Sequence, residues 1–156
     1  MHDKFHISKY LNDAVNAVRK SEHRQLLKNG DQTLTKSKYV WLKKTPDQRT
    51  SEAKEFARLF QVNLKTARAW TIKESFIKFW DYRYQGPAEN YFNSWAERAM
   101  RSQLEPVKKV VRMLRRHKKG VLNYIKHRIT NATAEGFNSA IQTIKTNARG
   151  FRSFDS

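Results

Sequence analysis

Apolar residues recur at intervals of three and four along most of this chain, and little interrupts them: only five Gly and three Pro occur in 156 residues. That spacing is one face of an α-helix, and it recurs segment after segment. Ile7, Leu11, Ala14 and Val18 place a first helix over about residues 7–27, and Asn29-Gly30-Asp31 reads as its stop and turn. Thr45-Pro46 opens the next, with Thr as cap and Pro at the first position, and this helix ends near Phe60. Another runs from about Leu64 to Tyr82 and buries Ala69, Ile72, Phe76 and Phe79. Gly86-Pro87 breaks the pattern, after which Ala88, Tyr91, Trp95 and Ala99 mark a further helix. From Glu105 a long helix aligns Val107, Val110, Leu114, Val121 and Ile125, with Lys118 interrupting the stripe and Gly120 ending or bending it. Ala134, Phe137, Ile141, Ile144 and Ala148 form the stripe of a last helix, stopped by Gly150.

One stretch departs from this period. Ser37 to Lys43, with Tyr39, Val40 and Trp41, suits a pleated, half-buried strand. A single strand is not stable alone, so its partners are expected elsewhere. The expected fold is mainly α, with about six helices and one or two short strands.

Charge narrows the choice of partner. Lys and Arg number 32 against 14 Asp and Glu, a net charge of +18. Such an excess opposes compaction, and a polyanion relieves it; nucleic acid is the commonest. The cations crowd one place: Lys108, Lys109, Arg112, Arg115, Arg116, Lys118 and Lys119, with no acid after Glu105. Solvated helix faces usually mix signs, so this one is read as a nucleic-acid contact, with an ordinary solvated face as the alternative. A membrane-surface helix would set Trp or Phe beside the cations, and residues 106–120 contain neither. No apolar run approaches the roughly 20 residues of a spanning helix. The N-terminus has no signal-peptide pattern, so the expected location is cytoplasmic. Cysteine is absent, which excludes disulfides and thiolate metal sites.

Two acids merit notice. Along the last helix a polar row runs beside the apolar stripe: Glu135, Asn138, Gln142, Lys145 and Arg149. An acid, two amides and two cations in line suit one site, the acid on a metal and the rest on phosphates. The alternative is a solvated face with Glu135 favoured by the positive helix end. Asp3 precedes the first helix, either as a metal ligand at the end of a strand or as a plain helix-entry acid. Ser139 and Thr130 lack the His-Asp company of a nucleophile, and no Gly-rich phosphate loop is present.

These segments together resemble the ISL3 family of insertion-sequence transposases, which are of the DDE type. Asn131-Ala132-Thr133-Ala134-Glu135-Gly136-Phe137-Asn138-Ser139, then Ile141-Gln142, Lys145 and Ala148-Arg149-Gly150-Phe151, is similar to the family's last catalytic segment. Asp3-Lys4-Phe5-His6-Ile7 resembles the segment with the second catalytic Asp, and Leu104 to Arg112 resembles the L-[ED]-P-[MFV]-K-K-V stretch. Tyr39 to Lys43 and Asn63 to Ala69 sit where the family has similar segments.

The resemblance implies a ribonuclease-H-like α/β core with a helical insertion. Residues 1–45 would belong to that core, with Tyr39 to Leu42 as its last strand; 46–127 would be the insertion; 128–156 would hold the final core helix. It implies Asp3 and Glu135 as the second and third acids of a metal-dependent site. Magnesium is the expected ion, and the two carboxylates would lie within roughly 10 Å of each other. The implied DNA contacts are Lys108, Lys109, Arg112, Arg115, Arg116, Lys119, Asn138, Gln142, Lys145 and Arg149. The family's first Asp lies upstream of these segments, so the chain is expected to be inactive alone. Its expected partners are DNA and an upstream transposase fragment or another transposase chain, with no membrane and no small-molecule substrate. The alternative is a non-catalytic, basic, helical DNA-binding protein derived from a transposase.

Overall fold

The computed structural model describes residues 4–42, 50–62 and 64–127. They form helices α1 (Lys4–Lys28), α2 (Lys38–Leu42), α3 (Thr50–Phe60), α4 (Lys65–Ile77), α5 (Gln85–Met100) and α6 (Glu105–Arg116). A 3₁₀ turn (Lys78–Asp81) extends α4, and residues 118–127 are helical again. The mainly α expectation holds, but among the described residues there is no strand.

The expected strand at Tyr39 to Leu42 is the single helical stretch α2. A strand must pair its backbone groups with a neighbour. Here local and tertiary partners take them instead. Val40 N–H donates to Ser37 O at 3.1 Å, and the buried Ser37 hydroxyl accepts Trp41 Nε1 at 3.3 Å. Lys73 Nζ, from α4, donates to Trp41 O at 2.8 Å and so caps the open end of α2. Burial pushes the Lys73 ammonium below the usual lysine range, with Glu74 at 3.9 Å opposing that shift. Tyr39 to Trp41 favours strands only where a pleated surface receives it, and helical packing receives it here.

The helices α1, α4, α5 and α6 form a ring in which each packs on the next: α1 on α4, α4 on α5, α5 on α6, α6 back on α1. This is the logic of a four-helix bundle, with one apolar face per helix turned inward. From α1 come Ile7, Leu11, Ala14, Val15 and Val18, and from α5 come Ala88, Phe92, Trp95, Ala96 and Ala99. An aromatic cluster anchors one side, with Phe76 4.6 Å from Trp95 and 5.1 Å from Phe79. On the other side Phe56 of α3 stands 4.8 Å from Trp70 and 5.8 Å from Trp41.

Helix ends follow the sequence signals in part. Gly30 has φ +76° and, with Asp31 N–H donating to Leu26 O, closes α1 as Asn29-Gly30-Asp31 predicted. Gly86-Pro87 is not a break but lies in the first turn of α5, where a missing N–H costs nothing. Nor does Gly120 end the long helix: the interruption falls at His117, and Gly120 sits inside the next helical stretch. The Thr45-Pro46 start and the helix expected after Asn131 lie outside the described residues.

One cap has no local signal. Leu64 precedes α4 and offers no side-chain acceptor. Glu22 of α1 reaches across, accepting Lys65 N–H at 2.6 Å, Thr66 N–H at 2.9 Å and Thr66 Oγ1 at 2.7 Å. A carboxylate at the positive end of a helix both satisfies orphan donors and complements the dipole. Glu22→Ala is therefore expected to cost about 2 kcal/mol in urea unfolding, and Glu22→Gln less. A change near zero in both variants would show that water serves the two N–H groups equally well.

Candidate nucleic-acid interface

Helix α6 is built to hold its cations on the outside. Glu105 and Pro106 occupy its first turn and Arg115 and Arg116 its last, so charge complements the dipole at both ends. Val107, Val111 and Leu114 are buried and fix its rotation against α1 and α5. Val110, expected in that stripe, is only half-buried, and Val111 takes the inner place.

The cations are not equivalent. Arg112 donates to the Glu105 carboxylate, and Lys108 lies 3.7 Å from it. That carboxyl is held below the usual range chiefly by the Arg112 hydrogen bond. Lys118, whose place in the apolar stripe was anomalous, is half-buried and paired with Glu89 of α5 at 2.7 Å. Lys109, Arg115, Arg116 and Lys119 are exposed, and no ion pair holds them among the described residues.

The break at His117 extends this array. His117 N–H donates to Met113 O and Leu114 O, closing α6, and Val121 N–H bonds back to His117 O, opening the next stretch. Val121, Leu122 and Ile125 are buried there. Lys119, Asn123 and Lys126 are exposed, and their spacing puts them on one helical row. Sequence reading stopped at Lys119 and missed Lys126. The acid-free run continues past it to Glu135, which was the available signal.

Such a surface attracts phosphates: several uncompensated cations on a rigid scaffold give binding that depends on charge rather than base identity. Among the described residues no three of His, Cys, Asp and Glu gather as a metal site. Asp3 and Glu135 both lie outside the described residues, as do Asn138, Gln142, Lys145 and Arg149. None of the described helices is long and apolar enough to cross a membrane.

Comparison with known proteins extends these observations. A family model described as a transposase, that of the ISL3 DDE type, matches residues 1–156. The transposase for insertion sequence element IS1001 of Bordetella parapertussis is 23% identical over 155 residues. The match takes in 97% of this chain but 38% of that protein. No solved structure matches.

Proposed function

The chain belongs to the ISL3-type DDE transposase family, and on that premise we propose that it serves DNA strand cleavage and transfer as one portion of a three-acid catalytic site. The family match along the whole chain carries this reading. The exposed cations Lys109, Arg115, Arg116 and Lys119 support its DNA-binding part.

Asp3 and Glu135 are assigned as the second and third acids. Their carboxylates are hard oxygen donors of the kind magnesium takes, so the donor chemistry fits a divalent ion. An ion held by Asp3 and Glu135 would supply Lewis-acid chemistry at the phosphoryl group and at a water or hydroxyl nucleophile. The protein's own part is to hold the acids in place and to seat the DNA backbone. Asn138, Gln142, Lys145 and Arg149 would contact phosphates beside Glu135, and the α6 array would hold the flanking DNA. The first acid of the set is assigned to further polypeptide or to another chain. The ribonuclease-H-like core and the division into 1–45, 46–127 and 128–156 remain part of this proposal. Action on a bacterial chromosome or plasmid would put the protein in the cytoplasm.

A salt titration tests the DNA-binding part. Reversing Arg115, Arg116 and Lys119 to Glu is expected to weaken duplex binding at least about tenfold at roughly 0.1 M salt. The slope of log affinity against log salt should fall by about 3, equally for unrelated duplexes. The three side chains are exposed, so thermal stability should fall by no more than the few degrees that reversing Arg115 and Arg116 at the C-terminal end of α6 costs. Unchanged affinity and slope would mean that this face is merely solvated.

A further inference from the structure

Tyr84 is 75% exposed, in a class with Phe5 and Tyr39 as the most exposed rings among the described residues. It caps the N-terminus of α5 in extended backbone, with φ −120° and ψ 142°, and offers no side-chain cap bond there. Its neighbour Tyr82 packs on Tyr91 at 5.3 Å, so the loop is anchored while Tyr84 stands free of ring contacts among the described residues. A helix cap is normally a small polar residue, so local structure does not call for tyrosine here.

Position gives the ring a use. Gln85, next in sequence, donates from Nε2 to Leu122 O at 3.2 Å and to Asn123 Oδ1 at 3.3 Å. The start of α5 is thus fastened to the 118–127 helix at the middle of its exposed row. Lys119 and Lys126 flank Asn123 on that row, one helical turn before it and nearly one after, and Arg83 adds an exposed cation beside the ring. The two lysines are separated along the axis by roughly 10 Å. The Gln85 tether sets the Tyr84 backbone next to the helix that carries Lys119 and Lys126, and an exposed ring near such a line of cations suits a single strand, with phosphates along the lysines and a base on the ring. Bases inside a duplex have both faces covered by their neighbours and offer the ring nothing to stack on.

We infer that Tyr84, with Arg83, Lys119 and Lys126, forms a stacking site for an unpaired base of DNA. The inference rests on the DNA-binding reading above and deepens it, since it names the strand state that this surface takes. Duplex and single strand then use overlapping cations, and the ring separates them.

The test compares binding of a short single-stranded oligonucleotide and a blunt duplex by the full chain, its Tyr84→Ala variant and its Tyr84→Phe variant. Tyr84→Ala is expected to bind the single strand roughly 10- to 100-fold more weakly, with duplex affinity unchanged. Tyr84→Phe keeps the ring and should bind like the parent. A 2-aminopurine base in the single strand should be quenched by the parent and by Tyr84→Phe but not by Tyr84→Ala. If Tyr84→Ala leaves single-strand binding unchanged, or weakens both ligands equally, the stacking site is overturned while the DNA-binding reading stands. If the parent binds neither ligand, the DNA-binding reading itself has failed.

Discussion

Changing Glu135 to Ala is expected to abolish metal-dependent cleavage and joining of element ends by any assembly that includes this chain. The assembly matters, because the proposed reading assigns only two of the three acids, Asp3 and Glu135, to these residues. The polypeptide 1–156 alone should leave end-bearing DNA intact in magnesium or manganese. Adding the upstream region of a family member, which carries the first Asp, should restore nicking or strand transfer. In that mixture Glu135→Ala removes a hard oxygen donor from the metal-binding set. Lewis-acid stabilisation is worth several kcal/mol, and each 1.4 kcal/mol is about tenfold in rate, so a loss on the order of 10³-fold is expected. Asp3→Ala should match it. The Arg115, Arg116 and Lys119 reversal should instead lower activity only as far as it lowers DNA binding. Cleavage by 1–156 alone that vanishes in Glu135→Ala would show that two acids suffice. Activity in the mixture that survives Glu135→Ala would remove this residue from the site.

The second large effect is on folding. Trp95 is 1% exposed in the middle of α5, with its ring 4.6 Å from Phe76 and Nε1 donating to Ile72 O at 2.9 Å. It joins α5 to α4 by both packing and a polar bond. Trp95→Ala would leave a cavity between the two helices and remove one of the donors to the Ile72 carbonyl, which keeps Ser75 Oγ, at a cost of about 3–5 kcal/mol. For a chain of this size that corresponds to a fall in Tm of about 10–20 °C. Trp95→Phe keeps most of the ring and loses the donor, so a fall of only a few degrees is expected. A melting temperature that hardly changes in Trp95→Ala would mean that α5 is not held through this contact.

Most of the helices were legible because an amphipathic stripe needs only local spacing to be seen. Ile7, Leu11, Ala14 and Val18 are all buried where their steps of four, three and four placed them. The Gly30 turn was legible for the same reason, since a left-handed residue after a helix is a local requirement. The exceptions share a physical cause. Val40 and Trp41 read as strand because β-branched and aromatic residues usually pack on sheets, yet Lys73 from far along the chain donates to Trp41 O and helps to hold the segment as a helical turn. Gly120 drew attention as a breaker, but a helix is broken where its neighbours make bending favourable, and that is His117.

The candidate interface divides in the same way. That the chain carries a large positive excess, and that an acid-free cluster of cations runs from Lys108 to Lys119, was fixed by composition and order alone. Which of those cations remain available was not, because Lys118 meets Glu89 only once α5 and the 118–127 stretch lie side by side. Tyr84 likewise became a candidate only when Gln85 fastened its loop to Asn123.

Sequence by itself therefore determined the helical class, the helix faces, the basic region and the family. These depend on near neighbours along the chain or on motifs read in order. Tertiary structure alone decided the fate of residues 39–42, the cap that Glu22 gives α4, and the pairing of Lys118 with Glu89. Each of these is a bond between groups distant in sequence, formed only after the helices have packed.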